Sequence, residues 1–314
     1  MMLHTLVEKF LLSYKGVYAP ATVKWYENRL KPLLKTLGEK NIEEITIDDL
    51  RMLYVKMAEQ TQTYTEHPHA GRKPTEKGYS KYSLHAFVRA WKRLFKWAVE
   101  EGHLKISPAA HLQKPRLPQP NPKVISRDDV INLQNAALKF STHPERDYAI
   151  IRFLASTNAR VGGVARLQLT DLDIEHRIAR VREKGKGGNG KVRPVFFDEE
   201  TADALKAWLE IRDRDDNLVF GIGTAGIYQM LKRLSKKARL TGPYNPHAFR
   251  HGFAKGVLEQ GANLAQVSQM MGHSTPTVTV EYYGQFATRE LQEFYDRYCW
   301  LKNTSSKTDA DKQP

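Results

Sequence analysis

A chain of 314 residues is long enough for two domains with cores of their own, and 41% hydrophobic with 27% charged residues is the balance of an ordinary globular protein. Lysine and arginine exceed aspartate and glutamate by 49 − 35 = 14, with a pI near 9.6, which favours a polyanionic partner: nucleic acid first, an anionic membrane surface second. No apolar run approaches the ~20 residues of a bilayer span, the N-terminal stretch is broken by Glu8 and Lys9 and so is a poor secretion signal, and the single Cys299 excludes an internal disulfide or a Cys-based zinc site; a cytoplasmic, nucleic-acid-facing protein is expected.

Residues 1–113 read as helical. Leu3, Leu6, Val7, Phe10 and Leu11 form a helical stripe, and Pro20 opens a second helix running to Leu37, with Gly38 as its C′ stop signal. Thr46 or Asp48 caps a third helix, from Ile47 to about Gln60. Residues 61–80 are polar and rich in Gly and Pro, hence a loop; His67 and His69 lie in it without a third ligand in view, so no metal is expected. Ser83 to Glu101 is a strong helix with Leu84, Phe87, Trp91, Leu94 and Phe95 on one side. Its other side carries Arg89, Lys92, Arg93 and Lys96, either a solvated face or a contact with phosphate backbone. Residues 107–123 hold five prolines and no helical or strand period, which predicts a semi-rigid extended linker between domains at 1–113 and 124–301, with 302–314 a disordered tail.

In the second domain Ser126 caps a helix through Leu138, and Tyr148 to Ser156 is a buried helix leading into Thr157-Asn158-Ala159-Arg160. Ile178 to Val181 and Val192 to Phe197 read as strands joined by a glycine-rich loop. That loop fits the dinucleotide fingerprint and nearly fits a phosphate-binding loop, but both need a helix after the glycines, and a strand follows. A hairpin with Lys186 at its tip fits better, with Lys184 and Lys191 as competing candidates. Residues 199–213 and 224–239 are amphipathic helices; the second is basic, and its Lys232, Arg233 and Lys236 suit a groove or backbone contact.

The stretch PHAFRHGFAKGVLEQGANLAQVSQMMGHSTPTVTVEYYG, residues 246–284, is the most informative. His247, Arg250 and His251 fall at i, i+3 and i+4 on one helix face. Asn263 caps a second helix that stops at Gly272, His273 follows, and Tyr282 stands nine residues beyond it. Arginines that hold phosphate oxygens, imidazoles that donate hydrogen bonds and a phenol that attacks are what metal-free phosphodiester chemistry needs. Thr288 to Leu301 forms a last, aromatic helix.

His-x-x-Arg-His, then Gly-His, then Tyr nine residues on resembles the C-terminal box of tyrosine recombinases (phage integrases). The context of Arg160 resembles that family's first arginine box, usually T-G-x-R-x-x-E-L. Asn158 stands here for its glycine and Gly163 for its acidic residue, which leaves the bracing of the arginine without an evident source. Gly-Lys-Gly with a proline eight residues after the lysine looks like the family's hairpin lysine, and residues 1–113 resemble its core-binding domain. The resemblance implies a mainly α fold with a small antiparallel β-sheet. It further implies a site-specific recombinase acting on double-stranded DNA through a 3′-phosphotyrosine, without metal, ATP or other cofactor, as a tetramer on two duplexes near the nucleoid. Arg160, Lys186, His247, Arg250 and His273 would be its catalytic residues. The nine-residue spacing selects Tyr282 over Tyr283 as nucleophile. A type IB-like topoisomerase and an inactive sequence-specific DNA-binding protein remain as alternatives, and the last helix could dock in cis or on a neighbouring protomer.

Overall fold

The computed structural model describes residues 1–63, 76–118, 123–183, 191–213, 215–242 and 244–272. The chain divides into two compact units, with the boundary inside the proline-rich stretch 107–123. His67 and His69, Cys299, the last helix and the tail lie outside the described residues.

The first unit is helical: α1 (Leu3–Tyr14), α2 (Pro20–Leu37), a 3₁₀ turn (Ile42–Glu44), α3 (Ile47–Glu59) and α4 (Lys81–Glu100). The start of α3 is fixed by a reciprocal capping box, in which Thr46 accepts from the Asp49 amide and the Asp49 carboxylate accepts from the Thr46 amide. Gly38 ends α2 in a right-handed conformation, φ −54°, so it is not the left-handed stop its sequence position suggests. Helix α4 begins at Lys81 because the Ser80 hydroxyl caps the Ser83 amide. Its apolar face carries Trp91, Leu94 and Phe95 into the core, fully buried, and the Trp91 indole donates to the Arg29 carbonyl at 3.3 Å.

The basic side of α4 is not uniformly directed outward. The Lys92 ammonium donates to the carbonyls of Ala110 and Leu112 at 2.7 and 3.0 Å, fastening the segment that follows the helix. Arg93 donates to the Tyr14 hydroxyl at 2.7 Å and to Glu100 at 3.0 Å. Arg89 is exposed and stacks on Trp25, 4.7 Å from the ring centroid, while Lys96 is exposed and 3.7 Å from Glu100.

The second unit surrounds a separate core. Its elements are α5 (Arg127–Phe140), α6 (Pro144–Thr157), α7 (Val161–Ala165), β1 (Leu172–Asp173), β2 (Ile178–Glu183), β3 (Lys191–Phe196), α8 (Glu199–Ile211), α9 (Thr224–Lys237), α10 (Pro246–Glu259) and α11 (Leu264–Met270). Helix α6 starts four residues before the position read from its apolar run. Pro144 supplies a ready-made first turn, and buried Asp147 pairs with Arg146 and accepts from the Ser141 hydroxyl. The sheet is antiparallel in the order β1-β2-β3, with Val181 opposite Arg193 and Glu183 opposite Lys191. Phe153 of α6 packs on Phe197 and Phe220 in the core, and the Trp208 indole of α8 donates to the Val219 carbonyl at 2.7 Å. The architecture is the mainly α fold with a small antiparallel sheet that the sequence resemblance implies. Among the described residues no helix is long and apolar enough to cross a membrane.

Candidate active site

Where α6 ends, the chain passes through Asn158 in the left-handed conformation, φ 50°. Asparagine is the residue after glycine that tolerates this geometry best, which explains why it can stand at a glycine position. It also adds a side chain. Asn158 is buried; its carbonyl oxygen accepts from Arg250 Nη1 at 2.7 Å, and its Oδ1 accepts from Arg193 Nη2 at 3.0 Å.

Arg160 follows as the N-cap of α7, with its side chain about one-third exposed. Its amide donates to Glu183 Oε1 at 3.2 Å, and its guanidinium pairs with Glu183 Oε2. The same carboxylate accepts from Arg193 Nη2 at 3.0 Å. Burial pushes the Glu183 carboxyl upward, but the hydrogen bond and charge of Arg193, with those of Arg160, hold it below its ordinary value.

Gly163 therefore does not leave Arg160 without a brace. A side chain at Gly163 would meet Val181 Cβ at 3.2 Å and Glu183 Cγ at 3.8 Å, because β2 packs directly onto the start of α7. The strand that delivers Glu183 thus packs tightly on the position where the arginine box usually carries an acid.

Arg250, on α10, is buried; besides Asn158 it donates through Nη2 to the Met271 carbonyl. Arg193 donates through Nη1 to the Met270 carbonyl at 2.8 Å. Two guanidiniums thus hold the end of α11, where Asn263 caps the first turn and Gly272 turns the chain with φ 63°. At Gly272 a Cβ would lie 3.0 Å from Arg193 Cδ.

His247 occupies the first turn of α10, which Asn245 caps. Desolvation, followed by the charges of Arg250 and Arg160, holds its imidazole below the ordinary histidine value. His251, one turn on, is lowered by desolvation, then by His247 and Arg250. Both rings favour the neutral form that can accept a proton.

Arg160, His247 and Arg250 are thus brought together. Lys184, Lys186, His273, Tyr282 and Tyr283 lie outside the described residues. Lys191 opens β3, exposed, and Lys232, Arg233 and Lys236 lie on the exposed face of α9, where Arg233 also reaches Asp147 at 3.5 Å. Among the described residues no group of His, Cys, Asp or Glu is placed to hold a metal. Sequence reading missed Glu183 and Arg193. Their signal was parity: along β2 and β3 the buried positions are Ala179, Val181 and Glu183, and Arg193 and Val195, so two charged residues stand on the inward side.

A model of the phage integrase family matches residues 123–289, more than half of the chain. The chain belongs to that family. Tyrosine recombinase XerC of Corynebacterium glutamicum is 28% identical over 309 residues, covering 94% of this chain and 92% of that one. Tyrosine recombinase XerC of Pseudomonas aeruginosa is 29% identical over 231 residues, covering 71% and 74%. The Tn1549 transposon integrase, solved in complex with circular intermediate DNA, shares the fold with a TM-score of 0.72 at 21% identity, over 94% of this chain and 99% of that one. The chain is a tyrosine-type site-specific DNA recombinase.

In this phage integrase the Glu183 carboxyl binds its proton less tightly folded than unfolded. Its contribution to stability is complete above the ordinary glutamate value of 4.5 and is lost as pH falls through the lower folded value. Denaturant unfolding of Glu183→Gln at a series of pH values should show a shallower loss of stability below pH 4.5 than the unmodified protein does. An acid limb of unchanged slope would contradict this linkage.

Proposed function

We propose that this recombinase breaks and rejoins DNA through a 3′-phosphotyrosine formed by Tyr282. The convergence of Arg160, just past the end of α6, with His247 and Arg250 of α10 carries the reading. Arg160 and Arg250 hold the non-bridging oxygens of the scissile phosphate and stabilise the charge that grows on them as phosphorus becomes five-coordinate. The Tyr282 oxygen attacks phosphorus and the bond to the 5′-oxygen breaks. His247 or His273 accepts the phenol proton, and Lys186 delivers a proton to the departing oxygen. Burial and the charges of Arg250 and Arg160 keep the His247 ring neutral, which leaves it able to accept that proton. The phosphotyrosine keeps the ester, so rejoining is the reverse attack by a 5′-hydroxyl and needs neither ATP nor metal.

Residues 124–301 would form the catalytic domain and residues 1–113 a core-binding domain, joined by the proline-rich linker. Lys191 and Lys184 would lie along DNA beside Lys186. Arg89 and Lys96 on α4, and Lys232, Arg233 and Lys236 on α9, would face phosphates; Lys92 and Arg93 would serve that surface while holding their internal partners. A tetramer on two duplexes, working in the cytoplasm beside the nucleoid, suits the relationship to the Xer proteins. The relatives favour recombination over a type IB-like topoisomerase. The bracing of Arg160 by Glu183 removes the sequence grounds for an inactive DNA-binding protein.

Incubating the protein with a nicked duplex bearing the sequence it selects from a random DNA pool should give a covalent adduct on denaturing gels. Tyr282→Phe should abolish that adduct, and Arg160→Ala or Arg250→Ala should slow it by about 10²–10³-fold. An adduct lost with Tyr283→Phe instead would overturn the choice of nucleophile, and the absence of any adduct on a bound duplex would overturn the enzyme. On the same duplex, Lys236→Ala should weaken binding and reduce the salt dependence of affinity by about one unit of slope. An unchanged slope would remove α9 from the interface.

A further inference from the structure

We infer that Glu183 and Arg193, a charged pair on the two strands of the β2–β3 hairpin, replace the acid missing from the arginine box and act as positioning residues for Arg160 and for the segment entering His273. The inference rests on the recombinase reading above.

Four observations meet here. First, the Glu183 side chain is only 4% exposed and both its oxygens are used: Oε2 pairs with Arg160, and Oε1 accepts from the Arg160 amide and from Arg193. The carboxylate fixes the backbone and the guanidinium of Arg160 together, which restricts the side chain more than a single ion pair does. Second, Gly163 and Glu183 are sterically complementary. With a Cβ at Gly163 only 3.2 Å from Val181, an acid there would crowd β2 and require the strand to give way by a few tenths of an ångström.

Third, Arg193 extends the network beyond Arg160. Its Nη1 donates to the Met270 carbonyl and its Nη2 to Asn158 Oδ1, so Glu183 is linked through it to the end of α11 and to the residue whose carbonyl anchors Arg250. Fourth, Gly272 is the residue before His273, and its left-handed turn passes so close to Arg193 that a Cβ would sit 3.2 Å from Nε. The turn at Gly272, the last described residue before His273, is therefore set against the Arg193 side chain. Of the two guanidiniums, Arg193 is buried while Arg160 remains about one-third exposed. The hairpin pair holds the network, and Arg160 is the member presented outward.

The alternative is that Glu183 only neutralises buried Arg193. The two roles separate in a double variant. Glu183→Gln leaves Arg193 uncompensated, whereas Glu183→Gln combined with Arg193→Met removes both charges and can recover stability. The full-length protein is assayed on the nicked duplex it selects, measuring thermal midpoint, DNA affinity and the single-turnover rate of adduct formation at saturating protein.

Positioning predicts that Glu183→Gln keeps DNA affinity but slows adduct formation by about 10–10²-fold, as loss of an outer partner of an active group does. The double variant should regain thermal midpoint without regaining rate, and Glu183→Asp, which keeps the charge, should fall between. A double variant that regains both midpoint and rate, or a Glu183→Gln protein that cleaves at the unmodified rate, overturns the inference while leaving the recombinase reading intact. If the unmodified protein itself gives no adduct on the duplex it binds, the recombinase reading fails, and the inference falls with it.

Discussion

The second unit depends on one buried carboxylate placed between two guanidiniums. Taking Glu183 out of water costs several kcal/mol, and that cost is offset only because both its oxygens accept hydrogen bonds from arginine groups and both partner charges lie in contact. Among the described residues, the carboxylate cancels one of the three positive charges gathered at the site, those of Arg160, Arg193 and Arg250. A positive balance is left where a phosphate diester would sit, and the arginines are kept from repelling one another.

From that pair the geometry spreads through backbone carbonyls. Arg193 and Arg250 reach the last carbonyls of α11, and Arg250 also reaches the carbonyl of Asn158 at the end of α6. Helix C-termini expose unpaired carbonyls, and here two of them are satisfied by guanidiniums. Helix ends far apart in the chain are thereby locked to one hairpin. The neutral imidazoles of His247 and His251 follow first from their burial and then from the same crowding of positive charge, to which Arg250 contributes at both rings.

Much of the fold was legible in the sequence. The amphipathic helices announced themselves by period, and the Asn263 cap and the turn at Gly272 by residue type. Starts were misread where the start signal lay outside the apolar run, at the Ser80 cap of α4 and at Pro144 in the first turn of α6, and β1 is too short for any alternation to register. The internal bonds of Lys92 and Arg93 were not legible, because their partners, Ala110, Leu112 and Tyr14, are remote in sequence. In the site, the spacing of His247 and Arg250 was readable because a helix sets it. The relation of Arg160 to Glu183 and Arg193 was not, because a strand register and the close packing of β2 on Gly163 set it. The departures at Asn158 and Gly163 looked like losses in one dimension, and in three they are half of a rearrangement.

The most direct test of this account is the motion of the Arg160 side chain, read by ¹⁵N relaxation of arginine Nε–H groups in the DNA-free protein. If Glu183 holds Arg160, its Nε should be nearly as ordered as that of buried Arg193 and far more ordered than that of exposed Arg51, and should become mobile in Glu183→Gln. An Arg160 that is as mobile as Arg51 in the unmodified protein, or one that stays rigid after Glu183 is neutralised, would contradict the account.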